Sequence, residues 1–489
     1  MAGPFCDIIK SPQEYVKHDV LCHRTSERVV RDLASVIAVK QKIGKARTNP
    51  SGKKSLPELE RELENSSQTV VDLFIKQQND CDKNGNVNAC VYTEMLQNFV
   101  KFFGRLQDVY QDPKFSPVRK ELAKLNSGYL ITELDPKGTG YEVLFDTGAN
   151  MLAISPFLFS LMKQHIRVIG GSPEYGQNAV LVSMNDTSFK MGNIDYKPQL
   201  AAVTPVIDSI EGSRDRNRLI AIMGADFLFR HNWEVNYDAS TITFDQNVEN
   251  KLGRDRKQWI PIPLSIHPYA ASYTLGIPVT VENAQMTFLL DTGLDGVIAF
   301  DNCYSVDTKK TKSRKSHMMA VEGTTENSKV EDVTFNIGPF SHREDLSITK
   351  AGAASALSGQ KVCGLMGTQI LVNYDYLYDP QTLSLYIRPR RQKGQAVKPA
   401  RFGIIPDRTS IGKDRPAFLV KDVAVNSHAD KAGIKKGDII TEIDGKTTDK
   451  ITVLELFNIF YISKDKDLKI TVLRDGRELK FKVRLKVQK

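Results

Sequence analysis

Apolar positions in the first quarter of the chain recur at three- and four-residue spacing, as Val29, Leu33 and Ile37 do and then Leu59 and Leu63. That period predicts amphipathic helices up to about Leu125. Ser55-Leu56-Pro57-Glu58 has the form of a capping box at the head of one of them. A further helix would carry Leu96, Phe99, Phe103, Leu106 and Tyr110 on one face, and a short one starting at Pro117 would end at Gly128. From Gly128 onward the period changes to short alternating or β-branched runs, such as 141–145 and 241–244, broken by Gly, Asn, Asp and Pro. This texture predicts a mostly β region.

Within the β region the chain repeats itself. Leu144-Phe145-Asp146-Thr147-Gly148 is followed by Ile222-Met223-Gly224, then Tyr237-Asp238 and Thr241-Ile242-Thr243-Phe244. Leu289-Leu290-Asp291-Thr292-Gly293 is followed in the same order by Leu365-Met366-Gly367, then Tyr378-Asp379 and Thr382-Leu383-Ser384-Leu385. The two copies share a layout and differ mainly in their loops. After them, the basic stretch from Arg388 to Gly394 reads as an exposed linker. A last strand-rich unit begins near Arg401 and contains Ala432-Gly433-Ile434, Gly437-Asp438-Ile439-Ile440 and Asp444-Gly445.

Composition narrows the picture a little. With 489 residues the chain is too long for one core, and 41% hydrophobic with 26% charged residues is ordinary for globular domains. A formal net charge of +9 does not by itself call for an anionic partner, and no nucleic-acid partner is expected. No apolar run is long enough to cross a bilayer as a helix. The cysteines, Cys6 with Cys22, Cys81 with Cys90, and Cys303 and Cys363 in the later part, suit either disulfides in an oxidising compartment or buried thiols. The compartment therefore stays open between periplasmic or secreted and cytoplasmic.

The candidate chemistry lies in the two Asp-Thr-Gly triplets. Two carboxyls held a few ångströms apart cannot both ionise cheaply, so they share a proton, and one can act as base while the other acts as acid. One Asp per repeat brings Asp146 and Asp291 face to face across a two-fold axis. Gly148 and Gly293 allow tight turns, and the hydroxyls of Thr147 and Thr292 can tie the two loops together.

On these residues, 128–390 resembles the pepsin and retropepsin superfamily of aspartic peptidases. The resemblance implies a multidomain, mainly β chain with a bilobal aspartic-protease fold, preceded by an all-α N-terminal region. It implies Asp146 and Asp291 as a catalytic dyad, Thr147 and Thr292 as an interlobe grip, and Gly224 and Gly367 packed behind the catalytic loops. It also implies an aspartic endopeptidase acting on polypeptides, with one chain sufficient for one site and with no cofactor or metal. A flap should close over the substrate, and Tyr175 in the turn-rich stretch 170–176 is the candidate. Ala149 and Leu294 stand where pepsin-like sites often carry Ser or Thr, which removes a hydroxyl from each outer carboxylate oxygen and favours activity at less acidic pH. Leu294 also leaves open a non-catalytic peptide-binding scaffold.

The last unit resembles a PDZ domain (α+β) of the bacterial exported-protease type. That implies binding of peptide C-termini or extended segments by strand addition, with Phe402, Gly403 and Ile404 in the carboxylate-binding loop. The expected domains are a helical region over 1–127, protease lobes over 128–250 and 251–390, a linker over 391–400 and the PDZ domain over 401–489. Asp80, Asp82 and Asn84 resemble half of a calcium loop, but Val91 stands where that loop needs a bidentate Glu, so a turn closed by Cys81 and Cys90 is the preferred reading.

Overall fold

A computed structural model describes most of residues 117–486 and a few helical positions between Val39 and Asn65; 134–140, 172–179, 208–218, 305–312, 351–361 and 391–399 are among the stretches outside that description. The protein is multidomain and mostly β, with few and short helices among the described residues. The predicted helices over 29–37 and 96–110, the Asp80–Asn84 motif, the cysteines at 6, 22, 81 and 90, and Tyr175 lie outside the described residues. At the capping box, Ser55 donates to Glu58 Oε2 from both its backbone N–H and its Oγ, each at 2.7 Å. Val39, Ile43 and Leu59 bury one another beside it.

Three sheets carry the internal repeat. In the first copy, Glu142–Phe145 runs parallel to the fully buried Leu219–Met223, which is flanked on its other side by Leu152–Ile154. The second copy repeats this with Ala284–Leu290 parallel to Val362–Met366, flanked by Val297–Phe300. A central strand buried on both faces needs an unbroken apolar run, and both sequences, LIAIM and VCGLM, provide one.

The third sheet joins the copies. Its order is Val118–Glu121, Thr241–Asp245, Asn232–Asn236, Tyr374–Asp379, Ser384–Pro389 and Ile260–Pro263, so equivalent strands lie on either side of a central seam. There Trp233 faces Tyr378 and Val235 faces Tyr376 in register. Trp233 is 1% exposed, sets its ring edge-on to Tyr376 and donates from Nε1 to Leu228 O at 2.9 Å. A buried indole with its one donor satisfied fixes the seam more firmly than apolar area alone.

Two expectations are corrected here. The segment after Pro117 is not a helix: Val118–Glu121 is a strand pairing antiparallel with Thr241–Asp245. Its apolar spacing suits either structure, and an open sheet edge decides in favour of the strand. Nor is Arg388 part of an exposed linker. It sits in Ser384–Pro389, pairs with the buried Asp375 at 3.2 Å and lies 4.3 Å over the ring of Trp259, while Arg390 reaches Asp238 at 2.6 Å.

The C-terminal unit is a separate sheet in the order Ile404–Ile411, Arg415–Val423, Ile439–Ile443, Lys466–Arg474 and Arg477–Leu485, with its own core. Asp438, 1% exposed, takes two hydrogen bonds from the Arg474 guanidinium and one from Lys435 N–H. Removing one side of such a pair is costly, so Asp438→Ala should lower the stability of this domain by about 3 kcal/mol. Both tryptophans of the chain, Trp233 and Trp259, lie outside this unit. Calorimetry should therefore show one transition move down while the fluorescence transition stays where it was.

Candidate active site

Each Asp-Thr-Gly triplet follows the strand that runs parallel to its buried neighbour. Asp146 N–H donates to Met223 O and Asp291 N–H to Met366 O, both at 3.0 Å, so the same backbone bond sets both acids. The loops are then tied across the repeat. Thr147 Oγ1 donates to Leu290 O at 2.8 Å and accepts from Thr292 N–H at 3.0 Å; Thr292 Oγ1 donates to Phe145 O at 2.9 Å and accepts from Thr147 N–H at 3.0 Å. Both threonines are fully buried.

This lock brings the two acids into contact. Their side chains hydrogen-bond to each other. Asp146 Oδ1 accepts from Gly148 N–H at 2.7 Å and from Gly293 N–H at 3.1 Å, and Gly293 N–H is shared with Asp291 Oδ1 at 3.0 Å. The glycines are required for a steric reason. A Cβ on Gly148 would come within 2.5 Å of the Asp291 carboxyl, and one on Gly293 within 2.3 Å of Asp146 Oδ2. Gly224 and Gly367 sit behind the loops, where a Cβ would strike Ala149 O at 2.6 Å or Leu294 O at 2.2 Å.

Burial raises the pKa of both acids. Asp291 is held well above the usual carboxylate range, first by burial and then by the charge of Asp146 and the proton it gives to their shared hydrogen bond. Asp146 is raised as well, by burial, while backbone N–H groups and that same bond act in the opposite sense. The pair therefore favours sharing one proton over ionising both acids. Such a pair can take a proton from a bound water and return one to a leaving group. The hydroxyls missing at Ala149 and Leu294 are partly replaced, since the backbone N–H groups of these two residues support Asp146 and Asp291.

A hairpin ends each of the two sheets. Arg167–Gly171 with Val180–Ser183 ends the first sheet, and Ser313–Ala320 with Gly323–Ile337 ends the second in the equivalent place. The second begins at Ser313, within a stretch rich in Lys and Arg. In the C-terminal unit, Gly403 has a positive φ of 90°, and a Cβ there would lie 2.2 Å from Ser427 Cβ. The Phe402 side chain is 1% exposed and belongs to the core of this unit, and its carbonyl accepts from Ala429 N–H at 3.0 Å. Ile404 opens the edge strand of the sheet.

That C-terminal unit is a PDZ domain: residues 393–485 match the PDZ family. Among curated proteins, a protein named serine protease HtrA-like from Staphylococcus aureus strain MRSA252 is 37% identical over 78 residues, 16% of this chain and 10% of that protein. Its counterparts from strains USA300 and N315 are each 38% identical over 77 residues, 15% of this chain and 10% of theirs. The chain thus spans about a tenth of the length of these relatives. Their name overturns the expectation of an aspartic endopeptidase with a polypeptide-recruiting PDZ domain: the relatives are called serine proteases. What stands is a PDZ domain, the peptide binding it suggests, and kinship over 77 or 78 residues with proteins named as proteases.

Proposed function

We propose that this chain is of the peptidase class, that its reactive groups are the proton-sharing carboxyls of Asp146 and Asp291, and that its PDZ domain holds extended polypeptide. One observation supports it above the rest: two acids from matching copies meet in a single hydrogen bond, locked by reciprocal threonine bonds. A purely structural contact gains nothing from placing two half-buried carboxyls together. The sheets behind the pair read as two lobes, in keeping with the resemblance of 128–390 to the pepsin and retropepsin superfamily. The hairpins ending those sheets are the elements to close over a bound chain. In the PDZ domain, the open edge at Ile404–Ile411 is the place for an added strand, with Gly403 supplying the turn before it.

The relatives' name favours a second reading, a serine-type peptidase. A Ser–His contact exists: Ser265 Oγ lies 2.7 Å from His267 Nε2. Yet His267 is 1% exposed, burial lowers its pKa to about 4, and its Nδ1 has no hydrogen-bond partner. A serine nucleophile needs a base oriented by a third group on that nitrogen.

Peptide-library cleavage by the wild type, with and without a fluorophosphonate, and by Asp146→Asn and Asp291→Asn separates the two. The carboxyl pair predicts cleavage indifferent to the reagent and reduced about 10³-fold in either variant. Covalent labelling of a serine with loss of activity, and cleavage surviving in both Asn variants, would instead establish serine chemistry.

A further inference from the structure

Among the matched positions at which the two copies differ, one pair carries a change of chemistry. Leu158 lies twelve residues after Asp146, and Cys303 twelve after Asp291; Ile220 lies four residues before Gly224, and Cys363 four before Gly367. In the first copy the helix Pro156–Met162 packs on Leu219–Met223, and Leu158 and Ile220 are both buried in the shared core. In the second copy the same place holds a disulfide, Cys303–Cys363. Cys363 is 4% exposed and stands in Val362–Met366, the strand whose Met366 carbonyl receives Asp291 N–H. Cys303 is only partly buried, in the turn following Val297–Phe300.

We propose that Cys303–Cys363 is a redox-sensitive tie that holds the Asp291 half of the site and has no counterpart in the Asp146 half. The inference rests on the paired-carboxyl reading only for its consequence, not for its geometry. Attack by one thiolate of a dithiol on Cys303 breaks the S–S bond and releases Cys363 as thiolate. The second thiol then closes on the first, so that Cys303 and Cys363 gain two electrons and two protons and the dithiol becomes a disulfide. The tie closes a loop of sixty residues containing the second covering hairpin, from Ser313 to Ile337. Cutting it frees both the hairpin's base and the strand behind Asp291, whereas the first copy keeps its apolar contact.

Hydrogen exchange on the full chain before and after treatment with a small dithiol tests this, with reduction of the bond verified by alkylation and mass. Exchange should rise at least about tenfold across 284–304 and 362–371, well inside the roughly thousandfold that closing a loop of this size allows. Over 142–158 and 219–228 it should not change. Cys303→Ser with Cys363→Ser should show the raised exchange without dithiol and no further response. Should that variant fold poorly, Cys303→Leu with Cys363→Ile rebuilds the first copy's contact and should stay protected with or without dithiol. Unchanged exchange in the reduced wild type, or an equal rise in both copies, would overturn the proposal. Because exchange is read without any substrate, this result stands whether or not the carboxyl pair proves to be the reactive centre.

Discussion

Thr147→Val combined with Thr292→Val is expected to cost about 4–8 kcal/mol, most of what holds a domain folded. Valine keeps the shape of threonine and deletes only the hydroxyl. Four hydrogen bonds then vanish, and the groups left behind are two backbone N–H donors and the carbonyls of Phe145 and Leu290. The threonines are fully buried, so no water replaces the lost partners. An unsatisfied buried backbone group costs about 1–3 kcal/mol. Each single variant removes two of the four bonds and should cost about half as much. Urea unfolding followed by tryptophan fluorescence reads the effect, because Trp233 and Trp259 both lie in the region that the lock stabilises. A midpoint unmoved in the double variant would show that the seam of the six-stranded sheet joins the copies by itself.

The second large effect runs in the opposite direction: Asp291→Asn should make the protein more stable at neutral pH. Burial and the neighbouring Asp146 hold the Asp291 carboxyl well above the ordinary value of 3.8. For an acid with a raised folded-state pKa, the folded chain binds more protons than the unfolded chain at any pH between the two values. Stability is therefore greatest below the ordinary carboxylate value and is lost as pH rises through the folded one. Asparagine has no proton to lose, can still donate to Asp146 from its amide, and removes that dependence. Asp146→Asn should act in the same direction, because burial raises Asp146 as well. Urea midpoints of wild type and both variants, taken from about pH 5 to pH 8, would decide the matter. A wild type as flat with pH as Asp291→Asn, or an Asp291→Asn variant weaker than wild type at the alkaline end, would remove the proton from Asp291.

Where these acids sit follows directly from local chemistry that the chain states twice. Apolar pairs before each Asp-Thr-Gly predict buried approach strands, glycines predict close backbone, and threonines predict a reciprocal tie; all of these depend on residues a few positions apart. The PDZ unit was legible for the same reason, in its Gly-Asp and Asp-Gly turns. What the sequence left undecided depended on partners far along the chain. Residues 118–121 became a strand only because Thr241–Asp245 offered an edge, Arg388 was drawn inward by Asp375 and Trp259, and the Phe402 side chain joined the core. Cys303 found Cys363 across sixty residues, and the second covering hairpin showed itself only by its place in a sheet. Periodicity reports which face of an element is apolar, whereas tertiary contacts determine what that face meets.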